Sequence, residues 1–147
     1  MGLVHAEITL INSGDIEMAR RHIIGEEEIK QITVKMLVDS GAWMMGINET
    51  IQQQLNLPFI EKRKAIMAEG SVKEYDVVGP IVVKFKNRTA ICAALVLEGD
   101  AEPLLGAIPM EEMDVVIDPR RQEMMVNPEH PHYAQLSMKG MTELLLV

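Results

Sequence analysis

Apolar and polar residues alternate over several short stretches of the chain, and a period of two is typical of β-strands with one buried face. The clearest stretch is residues 29–38, in which every second residue from position 32 to position 38 is apolar. Residues 4–11 alternate more loosely and lead into the turn-forming run Asn12-Ser13-Gly14-Asp15. This pattern predicts a first strand that ends in a turn, after which residues 16–24 form either a returning strand or a short helix.

Two hairpins are predicted in the middle of the chain. Residues 64–68 and 72–78 form the arms of the first hairpin, and Glu69-Gly70-Ser71 forms its tip, because glycine between polar residues marks a turn. Residues 81–85 and 89–97 form the arms of the second hairpin, joined by three polar residues.

Helices are predicted to be few and short. Asn48 is a suitable N-cap for a helix over residues 49–55, and Pro58 follows the end of that helix. A second short helix is expected over residues 109–113. The later part of the chain adds a buried strand at residues 115–117 and a last strand at residues 123–126.

The composition agrees with a single β-rich domain. The chain has 147 residues, of which 48% are apolar and only 3% aromatic, and its abundant isoleucine and valine side chains pack well on pleated sheets. Twelve methionines supply adaptable core volume. We therefore expect an all-β fold.

Charge and cysteine content restrict the partners. The chain has 22 acidic and 14 basic residues, a net charge of -8, which argues against nucleic acid as a partner. It has no apolar run long enough to span a membrane and no glycine-rich loop for nucleotide phosphates, so neither a membrane partner nor a cofactor is expected. The single cysteine, Cys92, excludes an internal disulfide and lies in an apolar stretch, where we expect it to be buried and unreactive. A reducing, cytoplasmic location is the corresponding expectation.

The candidate chemistry lies in Asp39-Ser40-Gly41-Ala42, directly after the clearest strand. Glycine permits a tight turn, and the serine hydroxyl beside it is able to fix the backbone. A carboxyl group at the end of a buried strand is thereby held in a defined place. Taken alone, Asp-Ser-Gly is usually only a turn, so its context decides between a catalytic and a structural role.

Three landmarks follow one another in the order found in the retropepsin-like aspartic proteases, the single-lobed relatives of pepsin. They are residues 38–42, Ala68-Glu69-Gly70 and Leu104-Leu105-Gly106, and the chain resembles this family over roughly residues 4–126. Small bacterial-type members also carry Asp-Pro where this chain has Asp118-Pro119. The resemblance implies a closed barrel of strands with a catalytic loop, a flap hairpin and one short helix after Leu-Leu-Gly.

The resemblance also implies a division of the chain. Residues 1–126 are expected to form the protease domain, and residues 127–147 a C-terminal extension that docks on the domain or lies at an interface between subunits. The family joins its subunits through terminal strands. Residues 4–11 and the apolar residues 144–147 are the candidates for these strands.

An aspartic endopeptidase of this kind works without metal or cofactor. Two carboxyl groups share one proton, because neighbouring carboxyl groups do not ionise together easily. The ionised one draws a proton from the attacking water, and the other donates a hydrogen bond to the peptide carbonyl oxygen. The chain has a single Asp-Ser/Thr-Gly, so the resemblance implies a homodimer in which Asp39 of each copy meets on a twofold axis.

Residue roles follow from the resemblance. Asp39, Ser40 and Gly41 are the expected catalytic residues: the Ser40 hydroxyl bonds across the dimer, and Gly41 lets the substrate backbone approach. The expected substrate-binding residues lie in the loop and the flap, and they are Ala42, Trp43, Met67, Ala68, Glu69, Gly70 and Ser71. The substrate is a peptide or protein, cleaved at acidic pH.

Several residues depart from the family pattern and keep other interpretations open. Trp43, Met44 and Met45 form an apolar run after the catalytic loop, which lines a pocket, obstructs it or simply packs. Glu69 places a carboxylate on the flap tip, and Ala107 replaces the arginine of viral members. These departures motivate an alternative, a non-catalytic retropepsin-fold dimer that binds peptides or partners. A third interpretation is an unrelated β-domain with an accidental Asp-Ser-Gly.

Two histidines near the end of the chain are weaker candidates for chemistry. His130 and His132 flank a proline, and no cysteine or third histidine lies near them in the sequence. A metal site needs three or four such ligands. We therefore interpret His-Pro-His as a solvated loop and expect no metal.

Overall fold

Strands dominate the structure, a computed structural model that describes residues 2–138. The strands in this part of the chain are β1 (His5–Asn12), β2 (Gln31–Val38), β3 (Met45–Asn48), β4 (Phe59–Ile66), β5 (Val72–Phe85), β6 (Arg88–Leu97), β7 (Leu104–Leu105), β8 (Val115–Asp118) and β9 (Glu123–Val126). The helices are α1 (Ser13–Arg20), α2 (Glu49–Leu55) and α3 (Ala107–Met113). The prediction of a mostly β fold is confirmed.

Seven strands form one mixed sheet in the order β1-β2-β7-β3-β6-β5-β4. An additional antiparallel pairing of β1 with β5 returns the sheet to its first strand, so that six strands form a closed ring of pairings and β4 extends beyond it. Two pairings are parallel, β2 with β7 and β3 with β6. Strands β8 and β9 form a separate two-stranded sheet.

Strand β1 lies inside the sheet and not at an edge. Thr9, Leu10 and Ile11 pair with β2 on one side and with β5 on the other. Over these residues no backbone group is left to add a strand from a second copy. The expectation that residues 4–11 join two subunits is therefore wrong for this half of the strand. Residues 144–147, the other candidate, lie outside the described residues.

The core fills the ring with aliphatic and methionine side chains. Ile8, Leu10, Met36, Ile47 and Leu105 are fully buried, and burying one such side chain stabilises the fold by about 1.5–3 kcal/mol. The alternation predicted in residues 29–38 is confirmed, because the even-numbered residues of β2 face the core and the odd-numbered ones up to residue 35 are exposed.

An asparagine side chain forms the N-cap of each of the first two α-helices. Asn48 caps α2 as predicted, accepting a hydrogen bond from the Ile51 N–H at 2.9 Å. Asn12 caps α1 in the same way, accepting from the Asp15 N–H at 3.1 Å. Residues 12–15 are therefore a helix start and not a hairpin turn. The open choice for residues 16–24 is decided in favour of a helix, which ends at Arg20.

The strands differ from the prediction in several places, and the two-residue strand β7 is one that was not predicted. Strand β3 was not predicted; it is only four residues long and fully buried. Strand β4 begins at Phe59, five residues before the predicted arm. Strand β5 runs without interruption from the first predicted hairpin into the second, with a shift of register between Val78 and Ile81.

Strand β8 is less buried than predicted. Val116 is 36% exposed and Ile117 is 38% exposed, so residues 115–117 are not a core strand. The sheet of β8 and β9 contacts the core through Met124 and the partly buried Val115 and Val126. No helix of residues 2–138 is both long enough and apolar enough to cross a membrane.

Candidate active site

Residues 39–44 connect β2 to β3 around the short strand β7. Val38 pairs with Leu105 in parallel, and Gly46 pairs with Leu104 in the opposite direction, so β7 lies between the two ends of this loop. The Asp39 N–H continues the ladder by donating to the Leu105 carbonyl at 3.1 Å. The position of Asp39 is therefore set by backbone pairing deep in the sheet.

The start of α3 holds the other half of the loop. The Ala107 N–H donates to the Ala42 carbonyl at 2.8 Å, and the Ile108 N–H donates to the Trp43 carbonyl at 3.1 Å. Between them, a Cβ on Gly106 would lie 2.4 Å from the Met44 carbonyl oxygen. Only glycine permits this contact between backbones, which is the physical reason for Gly106 in Leu-Leu-Gly.

The Asp39 carboxyl group has one fixed oxygen. Its Oδ1 accepts a hydrogen bond from the Gly41 N–H at 2.9 Å, and no hydrogen bond within residues 2–138 engages the other oxygen. A Cβ on Gly41 would lie 3.1 Å from Oδ1. The side chain is partly exposed. The carboxyl group is thus oriented by the turn while half of its acceptor capacity faces outward.

The hairpin predicted over residues 64–78 is present between β4 and β5. The strands pair as far as Ile66 and Val72, and the tip is closed by the Met67 N–H donating to the Ser71 carbonyl at 2.8 Å. Gly70 has a φ of +96°, which favours glycine. The Ser71 hydroxyl donates to the Glu69 carboxylate, and this bond lowers the pKa of Glu69 below its ordinary value. The acidic tip is therefore satisfied within the hairpin itself.

A cavity of about 440 Å³ lies between the loop and the hairpin. It brings together four of the residues predicted for the site, Gly41, Ala42, Trp43 and Met67. Asp39 stands next to it through its hydrogen bond to Gly41. The tip residues from Ala68 to Ser71 do not line the cavity. We refer to this cavity as the cleft.

The apolar run after the loop divides into exposed and buried members. Trp43 is 69% exposed at the cleft, so it does not pack as a core residue. Met44 is half-buried and also lines the cleft. Met45 is fully buried in the core, so for this residue the choice left open by the sequence is decided in favour of packing.

The other walls of the cleft were not predicted from the sequence. Apart from Met44, which belongs to the apolar run discussed above, the remaining lining residues are Gly46, Arg63, Lys64, Ala65, Ile66, Tyr75, Leu95, Leu97 and Leu104. They come from five strands, and their convergence depends on the sheet order. One usable signal was present: Arg63 and Lys64 lie six and five residues before the predicted tip and Tyr75 lies four residues after it, so all three are close to the same hairpin.

A second groove, of about 980 Å³, begins at Ser40 on the far side of the loop. Its walls are α3, the start of β8 and residues 135–138. Ile108, Ile117 and Leu136 give it an apolar character, and Leu136 is 60% exposed. Ser40 thus faces a different surface from Gly41 and Ala42. We refer to this surface as the Ser40 groove.

The C-terminal end of α3 carries a carboxylate of a different kind. Asp114 Oδ2 accepts from the Gln135 N–H at 3.0 Å and lies 2.7 Å from His130 Nδ1, while Oδ1 accepts from the Asn127 side-chain amide at 3.1 Å. These bonds lower the pKa of Asp114 to about 2. His130 is largely buried in this cluster, so its interpretation as part of a solvated loop is wrong. His132 is exposed.

The described residues limit the remaining chemistry. Within residues 2–138 no group of three or more His, Cys, Asp or Glu side chains is placed to hold a metal ion. No second carboxyl group of this part of the chain is hydrogen-bonded to Asp39. Burial raises the pKa of the Cys92 thiol to about 12, with a further contribution from Glu112, which makes its thiolate scarce at neutral pH.

The chain was compared with known protein families and with curated proteins, and neither comparison finds a match. A function for this chain therefore depends on the geometry of residues 39–44 and of the cleft beside them.

Proposed function

We propose that the chain is a homodimeric aspartic endopeptidase with a retropepsin-like barrel. The observation that carries the proposal is Asp39, a carboxyl group oriented by the Gly41 N–H, with one oxygen left for chemistry, next to a cleft that has the arms of a hairpin as one wall. The closed ring of strands and the contact of Gly106 with the loop support the same family. A structural turn would need neither the cleft nor this close backbone packing.

A second copy supplies what one copy lacks. Peptide hydrolysis by this mechanism needs two carboxyl groups, and Asp39 has no such partner within residues 2–138. The Ser40 groove begins one residue after Asp39 and combines the exposed Leu136 and other apolar side chains with Glu111 and Glu112, and its position beside Asp39 supports it as the surface that meets the second copy. An obligate dimer is expected to bury about 2,000 Å² or more.

In the dimer the two Asp39 side chains share one proton. The ionised carboxylate takes a proton from a water molecule, whose oxygen attacks the peptide carbonyl carbon. The protonated carboxyl group donates a hydrogen bond to the carbonyl oxygen, which carries the developing negative charge. The tetrahedral intermediate collapses as a carboxyl group gives its proton to the leaving nitrogen and the C–N bond breaks. The products are a carboxylic acid and an amine.

The test is cleavage of a peptide library across pH 3 to 7 by the wild-type chain and by Asp39→Asn. Asparagine still accepts from the Gly41 N–H, so the variant keeps the turn and loses the proton chemistry. We expect at least about a 100-fold loss of kcat/KM. Asp118→Asn is the matched control, because Asp118 also accepts from a backbone N–H two residues later, that of Arg120 at 3.0 Å, and lies outside the cleft.

The oligomeric state is measured by sedimentation in the same buffers. Cleavage by a dimer that is lost in Asp39→Asn and kept in Asp118→Asn supports the proposal. Cleavage that survives in Asp39→Asn, or full activity of a monomer, contradicts it.

A second candidate is a dimer that binds peptides without cutting them. The exposed Trp43 at the cleft favours it, since an indole ring is a ready platform for a peptide side chain. A clean dimer that binds library peptides and cuts none of them would select this function. Substitution Trp43→Ala would then abolish the binding.

A further inference from the structure

The cleft carries a charge opposite to that of the whole chain. The net charge is -8, from 22 acidic and 14 basic residues. The lining of the cleft nevertheless contains two cationic side chains, Arg63 and Lys64, and no carboxyl group. A surface of this sign within an acidic protein favours an acidic ligand by direct attraction.

One nitrogen of the Arg63 guanidinium, Nη1, has no strong acceptor among residues 2–138. Nε and Nη2 donate to Glu61 Oε2 at 3.1 and 2.8 Å. Nη1 points to the sulfur of Met44 at 3.2 Å, across the cleft wall. A thioether is a weak acceptor. A carboxylate that enters the cleft beside Met44 would therefore gain a charge-assisted hydrogen bond that the free protein does not make.

The two lysines of β4 also differ in whether a carboxylate is paired with them. Lys62, which does not line the cleft, is paired with Asp76 at 2.9 Å and with Glu74 at 3.9 Å. Lys64 lines the cleft, and no ion pair joins it to another side chain of residues 2–138. The charge of Lys62 is therefore compensated by two carboxylates, whereas no carboxylate of residues 2–138 is paired with Lys64.

The rest of the lining is apolar and adaptable. Met44, Met67, Leu95 and Leu97 surround the space together with Tyr75. Methionine and leucine side chains of this kind suit a bulky apolar side chain without a strict shape requirement. The cleft therefore combines an apolar pocket with a cationic wall.

We propose that the cleft selects peptides in which an acidic side chain lies close to a bulky apolar one, and that Arg63 and Lys64 determine this specificity. The inference rests on the proposed function, because it concerns the substrate of that same cleft. Arg63 binds the substrate carboxylate through Nη1, and Lys64 adds a longer-range attraction.

The test uses matched peptides that differ only in glutamate against glutamine. One glutamate, or the isosteric glutamine, is placed in turn at each position flanking a bulky apolar residue, and kcat/KM is measured at pH 5.5. We expect the glutamate peptide to be preferred about 10-fold at one position, the effect of one charge-assisted hydrogen bond. Arg63→Gln should reduce the ratio to about 2 or less, and adding Lys64→Gln should remove it. Lys62→Gln is the control and should leave the ratio unchanged.

The pH dependence of the preference for glutamate shows whether the cleft recognises the charge of the side chain or its shape. The ordinary pKa of a glutamate in a peptide is about 4.3, so at pH 3.5 the peptide glutamate is mostly neutral. We expect the preference for glutamate over glutamine to fall to near 1 at pH 3.5. A preference that persists there, or that survives in the Arg63→Gln and Lys64→Gln double variant, would overturn the inference.

Binding of the same peptides to Asp39→Asn, measured by fluorescence anisotropy, distinguishes the two proposals. Binding that favours glutamate without any cleavage by the wild type supports the cleft specificity and contradicts the peptidase. Cleavage of both peptides at equal rates supports the peptidase and overturns the specificity. The absence of both binding and cleavage overturns both.

Discussion

The two ends of helix α3 each hold a carboxyl group, and the two groups are treated in opposite ways. At the C-terminal end, Asp114 accepts hydrogen bonds at both oxygens from Asn127, Gln135 and the His130 ring. At the N-terminal end, the helix holds the backbone of the loop that carries Asp39 and leaves one oxygen of that carboxyl group without a partner in residues 2–138.

If the proposed function holds, the difference separates a carboxylate that anchors the chain from one that reacts. Hydrogen-bond donors on both oxygens stabilise the ionised form of a carboxyl group. The same bonds hold the chain around that group in place, here residues 127–135. A carboxylate whose orientation comes from the backbone, with spare acceptor capacity, is able to exchange a proton. The number of donors around each group therefore indicates its role better than its place in a short motif.

The largest effect is expected from breaking the support of the Asp39 loop while Asp114 stays intact. Gly106→Ala places a Cβ 2.4 Å from the Met44 carbonyl oxygen, and backbone must move to relieve the contact. We expect a loss of about 1–3 kcal/mol in the free energy of unfolding, together with loss of cleavage. Urea unfolding followed by circular dichroism measures the stability.

Gly14→Ala is the control for that experiment. Its new Cβ would lie 3.3 Å from Asn12 Oδ1, within helix α1 and away from the loop. It should stay within about 1 kcal/mol of the wild type, because alanine also favours the helix. Equal stability of the two variants would show that the contact at Gly106 does not constrain the fold.

A smaller and purely catalytic effect is expected at Gly41. Gly41→Ala brings a Cβ to 3.1 Å from Asp39 Oδ1, so the carboxyl group must shift by a few tenths of an ångström. We expect a fall in kcat on the order of 10-fold with little change in thermal stability, measured by steady-state kinetics and thermal unfolding. Unchanged kcat would mean that the orientation of Oδ1 is not important for turnover.

The smallest effect concerns the other end of the helix and depends on pH. Because the pKa of Asp114 is lowered to about 2 in the folded chain, its contribution to stability is present above about pH 4 and is lost as the pH falls through about 2. Asp114→Asn, which tolerates the left-handed backbone at this position, should lower Tm at pH 5 and match the wild type near pH 2. Thermal unfolding between pH 2 and 6 measures this gap, and a gap that stays constant across the range would exclude the carboxylate as its cause.

The fold was predictable where local signals sufficed. The alternation in β2, the Asn48 cap and the hairpin tip depend on neighbouring residues, and all three are confirmed. Strand β3 was missed because four buried residues carry no period of their own and become a strand only between β6 and β7. The sequence predicts a turn at Asn12, where the structure has a helix N-cap, because turns and N-caps favour the same side chains.

The sequence motifs of the candidate site were predictable, but most of the residues that form its surface were not. The order of the loop, the hairpin and Leu104-Leu105-Gly106 could be read from the sequence, and the structure brings the loop and the outer arms of the hairpin together at the cleft. The donors around Asp114 could not be predicted, because Asn127, His130 and Gln135 reach it only after the chain has folded back over α3.

The long strand β5 fixes one end of the hairpin in the sheet and leaves the other end paired only with β4. Its inner residues 81–84 are clamped on both edges, by β1 and by β6, whereas its outer residues 72–76 are joined only to β4. A force applied at the tip near Gly70 therefore acts first on the backbone hydrogen bonds between β4 and the outer part of β5 and on the contact of Arg63 with Met44. The outer part of the hairpin beside the cleft can therefore bend while the closed ring of strands keeps its shape.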